Sequence, residues 1–441
     1  MGSERYPVQQ RGIYRNLPVF DPAVKGLTAI VTGANGISGF HTMRVLLQSP
    51  ERWSKVYALS RRPPPKAMMA LLPEPQRSRV EHIAVDFLDE PSKIAQALKS
   101  VTADYIFFYS YLQPTPPPGA AVWSNAEELL KVNTALLDNF LQALSLSKII
   151  PKRFLLQTGA KHYGVHIGRT RSPAVESDPD LTHLEPNFYY PQEKSLYEFC
   201  RANNTSWNVI RPAWVLGAVN NAQMNALLPV AFYAAVQAEK REPLRFPSDW
   251  DVWQHEGHHS SAMLTGYLSE WAALEDKCRN QAFNSQDTGA LTWDRLYEEL
   301  VRWFDVKKGV APPEEDNTRL SVFEGKAGKD TPMGYGPPLL WRSGFTLVDW
   351  ASEPENKEAW QRLMAKSGGQ LTNNPHDDPL ANFAFGDAAF RKISSLCMNK
   401  ARLFGWTGFA DTREVLFEMY SEMAELGVLP RMKVDKARPL I

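Results

Sequence analysis

Thr32-Gly33-Ala34-Asn35-Gly36-Ile37-Ser38-Gly39 is the stretch whose reading decides the fold. Before it, Leu27 to Thr32 is a short β-rich run; after it, Phe40 to Leu47 carries apolar residues at helical spacing. The sequence therefore predicts strand, glycine turn, helix. Glycines at such a junction permit a tight turn, let backbone approach a pyrophosphate and allow the helix to pack closely on the strand. The helix N-terminus adds N–H groups and a positive dipole. Thr32, Gly33, Asn35, Gly36, Ile37 and Gly39 are accordingly expected to hold a dinucleotide.

Working outward, strand-like runs follow at Val56 to Ser60, Val80 to Val85, Tyr105 to Tyr109 and Phe154 to Gln157, with helix-like segments at Ser92 to Leu98 and Asn125 to Leu144. Such alternation predicts an α/β chain with a Rossmann-type, doubly wound parallel sheet covered on both faces. Pro63 to Pro65 and Pro116 to Pro118 fall in connections, where no ladder hydrogen bond is lost. Past residue 217 the pattern becomes helical, with a strand returning near 281–285. The expected division is an arm at 1–25, a cofactor domain at 26–217, and a smaller, mainly helical substrate-binding region at 218–441. Residues 306–345, rich in proline, glycine and charge, read as an irregular excursion. No repeat is visible.

Composition removes several functions. In 441 residues, 49 basic side chains balance 49 acidic ones, so no global field favours a nucleic acid. Cys200, Cys278 and Cys397 are too few and too dispersed for a disulfide framework or a thiolate zinc site. The first 26 residues lack an apolar signal core, and the longest apolar run, Ala226 to Ala238, is too short for a bilayer and reads as a buried helix. A soluble protein of a reducing compartment, most simply the cytosol, is expected. A homodimer is compatible with the sequence but not specified by it. His255, Glu256, His258 and His259 lack the i, i+4 histidine pair of a zinc helix, and no metal is expected.

The end of the second strand chooses between nicotinamide cofactors. An acidic residue there would bond the ribose 2′-OH of NAD. This chain has Ser60-Arg61-Arg62, and two guanidinium groups suit a 2′-phosphate, so NADP(H) is expected. Asp86 and Phe87 are placed to meet adenine. Tyr109 and Ser110, at the carboxyl end of the fourth strand, lie where open α/β sheets bind ligands.

The spacing G-x-x-G-x-x-G resembles extended short-chain dehydrogenase/reductases. A more specific resemblance is carried by Thr158-Gly159-Ala160-Lys161-His162-Tyr163-Gly164 with Asn187-Phe188-Tyr189-Tyr190. Leu244-Arg245-Phe246, Gln281-Ala282-Phe283-Asn284, Phe385-Gly386-Asp387 and Met398-Asn399-Lys400 add to it. Together they resemble the progesterone 5β-reductase/iridoid synthase-like family over about residues 26–300 and 380–425. The stretch between is expected to be lineage-specific.

That resemblance implies an ene-reductase. NADPH would deliver hydride to the β-carbon of an α,β-unsaturated carbonyl in a small or medium apolar enone or enal. Tyr189 and Lys161 would be the catalytic pair stabilising the enolate. It also implies cofactor contacts from Thr158, Pro212 and Val215 and a pocket role for Tyr111. Gly159 stands where many extended reductases have a catalytic serine, which argues against ordinary carbonyl reduction. Spacing alone nominates a different pair, because Tyr190-x-x-x-Lys194 matches the superfamily's Tyr-x-x-x-Lys pattern. The family's usual Glu-Asp is here Glu193-Lys194. Adjacent helical residues point about 100° apart, so only one tyrosine can face the nicotinamide. Trp250 and Trp253 are further pocket candidates. The alternatives are a ketone, aldehyde or imine reductase, a non-redox isomerase or cyclase that keeps NADP(H), and a non-catalytic NADP(H)-binding regulator.

Overall fold

A computed structural model describes residues 8–115, 125–221, 224–287 and 289–440. Pro116 to Pro118 and residues 1–7 of the arm lie outside the described residues. The chain begins with an antiparallel pair, β1 (Gln9–Arg11) and β2 (Tyr14–Leu17). The main sheet follows as β3 (Leu27–Thr32), β4 (Trp53–Ser60), β5 (Val80–Ala84), β6 (Tyr105–Phe108), β7 (Arg153–Gln157) and β8 (Ser206–Pro212). Two short ladders come next: β9 (Val215–Leu216) pairs with β11 (Ser260–Ser261), and β10 (Leu244–Arg245) pairs with β13 (Val310–Ala311). β12 (Gln281–Ser285) returns to the main sheet, and β14 (Ser321–Glu324) with β15 (Leu340–Ser343) forms a hairpin.

The helices are α1 (Ile37–Leu47), α2 (Lys66–Ala70), α3 (Glu74–Arg77), α4 (Pro91–Ala97), α5 (Ala126–Leu146) and α6 (Tyr189–Ala202) in the first half. The second half has α7 (Leu228–Lys240), α8 (Trp250–Trp253), α9 (Ala262–Leu274), α10 (Trp293–Phe304), α11 (Leu347–Ser352), α12 (Pro354–Lys366), α13 (Pro379–Ala389), α14 (Asn399–Leu403) and α15 (Thr412–Glu425).

Seven parallel strands stand in the order β12-β8-β7-β6-β3-β4-β5. Order reverses between β3 and β6, which opens a crevice at their carboxyl ends. Both faces are covered, so the strands read as nearly continuous apolar runs. On one face Phe87, Phe108, Phe140 and Phe154 form an aromatic layer under α5 and α6. On the other, α1 lies against α9, and Gly266 permits the approach: a Cβ there would stand 3.0 Å from the Val45 side chain.

Two stretches are more ordered than the sequence suggests. The arm's Tyr14 and Leu17 are buried, and an acidic row on α15 meets it: Arg15 pairs with Glu414, the Tyr14 hydroxyl donates to Glu418, and Arg44 of α1 pairs with Glu422. Arg15 and Phe409 also exchange two backbone hydrogen bonds. Residues 306–345, expected to be irregular, contain β13 and the β14–β15 hairpin. Every residue of β14 is exposed, so the alternation that normally betrays a strand is missing. The segment between β14 and β15 folds onto the loop after β7: Met333 N–H donates to the Arg169 carbonyl, and Arg169 donates to the carbonyls of Pro337 and Pro338.

Candidate active site

The glycine turn is built by contact. A Cβ on Gly33 would lie 2.8 Å from the Tyr109 carbonyl oxygen, and one on Gly39 would lie 2.3 Å from the Gly33 carbonyl oxygen. Gly33 also has φ 62°, which favours glycine. Gly36 caps α1 without a side-chain hydrogen bond, leaving the first-turn N–H groups for an anion. Thr32 is fully buried and its Oγ accepts from the N–H groups of Tyr109 and Ser110, so its side chain fastens β6 to β3 and is spent on the fold. Tyr109 likewise offers backbone only: its hydroxyl accepts from Thr42 under α1, and burial pushes it up to about 12.

At the end of β4, Ser60 Oγ and Asn35 Nδ2 both donate to the Arg62 carbonyl, at 2.7 and 2.8 Å. Those bonds hold a turn on which Arg61 and Arg62 are exposed. Asp86 accepts from Leu88 N–H in a tight turn. The Phe87 ring corrects its expected role: it is buried against Phe108 and Phe140, so any part in holding adenine falls to its backbone.

Across the crevice, Gly159 lets Tyr189 come close. The Tyr189 Oη lies 3.1 Å, and the Pro212 carbonyl oxygen 3.2 Å, from where a Cβ on Gly159 would stand. A serine at Gly159 would have to push Tyr189 aside. Asn187 ties the two segments together, its Nδ2 donating to the Lys161 carbonyl and its Oδ1 accepting from Tyr189 N–H, each at 3.0 Å. Burial raises the Tyr189 hydroxyl well above the ordinary phenol range and lowers Lys161 to about 7. The Tyr111 ring lies tilted against Phe188, and its hydroxyl donates to Gln113.

Tyr190 and Lys194 point elsewhere. The Tyr190 hydroxyl donates to the His162 carbonyl at 2.7 Å, and Lys194 is exposed on an outer groove with Glu198 and Arg201. Behind the site, Glu193 accepts from Arg211 at 2.9 and 3.1 Å and from the Tyr197 hydroxyl at 2.9 Å. Thr158 Oγ reaches Glu193 at 3.4 Å, and Tyr163 donates to Asn284 at 2.6 Å. Sequence reading missed the Asn187 clamp and the Glu193–Arg211 pair; the Asn-Phe-Tyr-Tyr and Gln-Ala-Phe-Asn motifs contained Asn187 and Asn284 but gave neither a partner.

Pro212 ends β8, and Val215 starts a ladder with Ser260, so both border the same edge. The tryptophans are corrected: Trp253 is buried against Phe246 and Tyr297, and Trp250 is exposed. Among the described residues, no group of three or more histidine, cysteine, aspartate or glutamate side chains could hold a metal. No described helix is long and apolar enough to cross a membrane.

Residues 29–323 match the PRISE-like Rossmann-fold domain model. The chain belongs to this family. A short chain dehydrogenase, gsfE, of Penicillium aethiopicum is 28% identical over 92% of this chain and 99% of its own. The (S)-8-oxocitronellyl enol synthase of Antirrhinum majus is 25% identical over 91% and 92%. A 3-oxo-Delta(4,5)-steroid 5-beta-reductase of Arabidopsis thaliana is 27% identical over 68% and 74%. This PRISE-like protein is a Rossmann-fold oxidoreductase of the short-chain dehydrogenase/reductase kind.

Proposed function

We propose that this PRISE-like chain is an NADPH-dependent reductase that saturates the C=C bond of an α,β-unsaturated carbonyl. The observation that carries the reading is the Tyr189 hydroxyl standing against the side-chain-free face of Gly159, with Lys161 on the same loop and tied to Tyr189 through Asn187.

The residues fit the cofactor. Glycines whose Cβ atoms would strike backbone, and an α1 N-terminus without a side-chain cap, suit a pyrophosphate; exposed Arg61 and Arg62 suit a 2′-phosphate. NADPH supplies the hydride when bound. Tyr189, kept protonated by burial, donates a hydrogen bond to the substrate carbonyl oxygen, where negative charge gathers as the β-carbon is reduced. Lys161 in its cationic form adds charge stabilisation, and burial makes both interactions stronger than in water. Arg211 and Glu193 hold the root of α6 so that the hydroxyl stays aimed. The enolate then takes a proton from solvent at its α-carbon, leaving the saturated carbonyl.

The test is purified protein with NADPH and a panel of enones, enals and saturated ketones, with products identified by mass spectrometry. Saturated carbonyl products are expected. Allylic alcohols would move the assignment to carbonyl reduction, and turnover without NADPH consumption would move it to isomerisation. Replacing Arg61 and Arg62 by Ala should raise KM for NADPH at least about tenfold and leave that for NADH unchanged, as expected when charge-assisted pairs to a phosphate are lost.

A further inference from the structure

The two members of the proposed catalytic pair flank one irregular segment. Between β7 and α6 the chain runs from Thr158 to Phe188 with a 3-10 turn, Ala160–Tyr163, as its only helical element. Lys161 lies near its start, and Asn187, which ties Lys161 to Tyr189, lies near its end. Such a segment has no ladder of its own, so its shape is set by what it leans on. Its middle leans on the loop before α14: Ala174 N–H donates to the Ser395 carbonyl and Cys397 N–H to the Ala174 carbonyl, each at 2.8 Å.

The parts nearest the catalytic pair lean instead on the connection between β14 and β15. After Lys161, a Cβ on Gly164 would stand 2.5 Å from the Pro332 side chain, and one on Gly168 would stand 3.2 Å from the buried Thr331 and 3.3 Å from the Lys326 carbonyl oxygen. The Arg169 carbonyl accepts from Met333 N–H, and its guanidinium donates to the carbonyls of Pro337 and Pro338 at 2.9 and 3.3 Å. Before Asn187, Glu185 pairs with Lys326 at 2.5 Å. The hairpin is fixed in turn to the body of the protein: Arg342 donates to Asp249 at 3.1 Å, Ser248 Oγ donates to the Arg342 carbonyl, and the Arg391 guanidinium lies 4.6 Å from the centre of the Trp341 ring.

We propose that the β14–β15 connection is a strap that positions the catalytic pair, with Arg169 and Lys326 as positioning residues. It grips the chain at Gly164, Gly168 and Arg169, shortly after Lys161, and again at Glu185, shortly before Tyr189. The strap thereby fixes the spacing of the two ends that Asn187 joins. Lys326 and Glu185 are half-exposed and their attraction alone is weak; most of the grip comes from buried Thr331 and the hydrogen bonds around Arg169. Displacing a reacting group by about 1 Å costs on the order of 100-fold in rate, so a loosened strap is read in kcat. What the pair does rests on the enone-reductase reading; how the pair is held does not.

The test uses the enone that the wild type reduces fastest. Arg169→Met keeps the aliphatic stem and loses both carbonyl bonds; kcat should fall about tenfold with KM for NADPH unchanged, because the glycine turn is built on β3, α1 and β6. Lys326→Glu, which sets two carboxylates together, should lower kcat about threefold, and adding Glu185→Lys should restore it. Unchanged kcat in both single variants overturns the proposal, as does a fall in Lys326→Glu that the exchanged pair leaves in place. If Arg169→Met does not fold, Lys326→Glu and its exchange decide. If the wild type reduces no enone, the enone reading fails, and the strap is judged by labelling Lys161 with acetic anhydride across pH and reading the peptide by mass spectrometry. Burial holds Lys161 near 7, so a loosened strap that admits water should raise its midpoint by about one pH unit in Arg169→Met or Gly168→Ala. Both variants leave in place His166, which feels Lys161, Glu185 and Lys326 together. An unmoved midpoint refutes the strap.

Discussion

Two faces of α6 carry neighbouring tyrosines with opposite surroundings. Toward the sheet, Tyr189 approaches Gly159, while Glu193, one turn on, is buried with Arg211. Toward the outer groove, Tyr190 spends its hydroxyl on the His162 carbonyl, and Lys194 is exposed. The difference teaches that a Tyr-x-x-x-Lys spacing reports only that two side chains share one helical face. Which face meets the chemistry is decided by what packs behind it, here a buried ion pair that fixes the rotation of the helix.

The comparison can be broken most forcefully at that pair. Glu193→Gln should cost about 3–5 kcal/mol, because Arg211 would keep its charge in the interior without a carboxylate; a Tm fall of only a degree or two would mean that the pair does not set the helix. Tyr189→Phe should lower kcat by about 100-fold or more with the fold intact by circular dichroism, the range for a lost proton donor. Wild-type rates retained in that variant but lost in Tyr190→Phe would reverse the two roles.

Lys161 sharpens the same contrast through pH. With burial holding it near 7, kcat/KM should fall about tenfold per pH unit above that value as the cation is lost, and Lys161→Arg should flatten this limb. Between about 7 and the ordinary lysine range the unfolded chain binds more protons than the folded one, so Lys161 makes stability rise with pH in that window. Gly159→Ala should cost about fivefold in kcat, because Tyr189 must yield a few tenths of an ångström. The smallest effects belong to the outer face: Tyr190→Phe should lose about 1 kcal/mol of stability for one hydrogen bond, and Lys194→Ala almost nothing.

How much was legible follows from the range of the interactions. The glycine turn and the strands beside it are local patterns, and they were readable from periodicity and turn chemistry. Tyr189 and Lys161 were nominated only by the motifs that resemble a family, since spacing alone favoured Tyr190 and Lys194. The Glu193–Arg211 pair was hidden because a charge in a sequence does not announce its burial. Phe87 looked like a ligand residue at the end of a strand, yet its ring turns inward to the aromatic layer. The β14–β15 hairpin was hidden because it is exposed along the whole of β14.

The acidic row of α15 has a consequence for synthesis. Arg44 on α1 meets Glu422, and Tyr14 meets Glu418, across separations of 378 and 404 residues. A nascent chain can pair β3 with β4 and β6 while still on the ribosome. It cannot brace α1 against α15 until residues 412–425 have been made, because contacts so distant in sequence form only after the intervening chain exists. The glycine turn and α1 are made early, but their brace arrives with a side chain 378 residues further on.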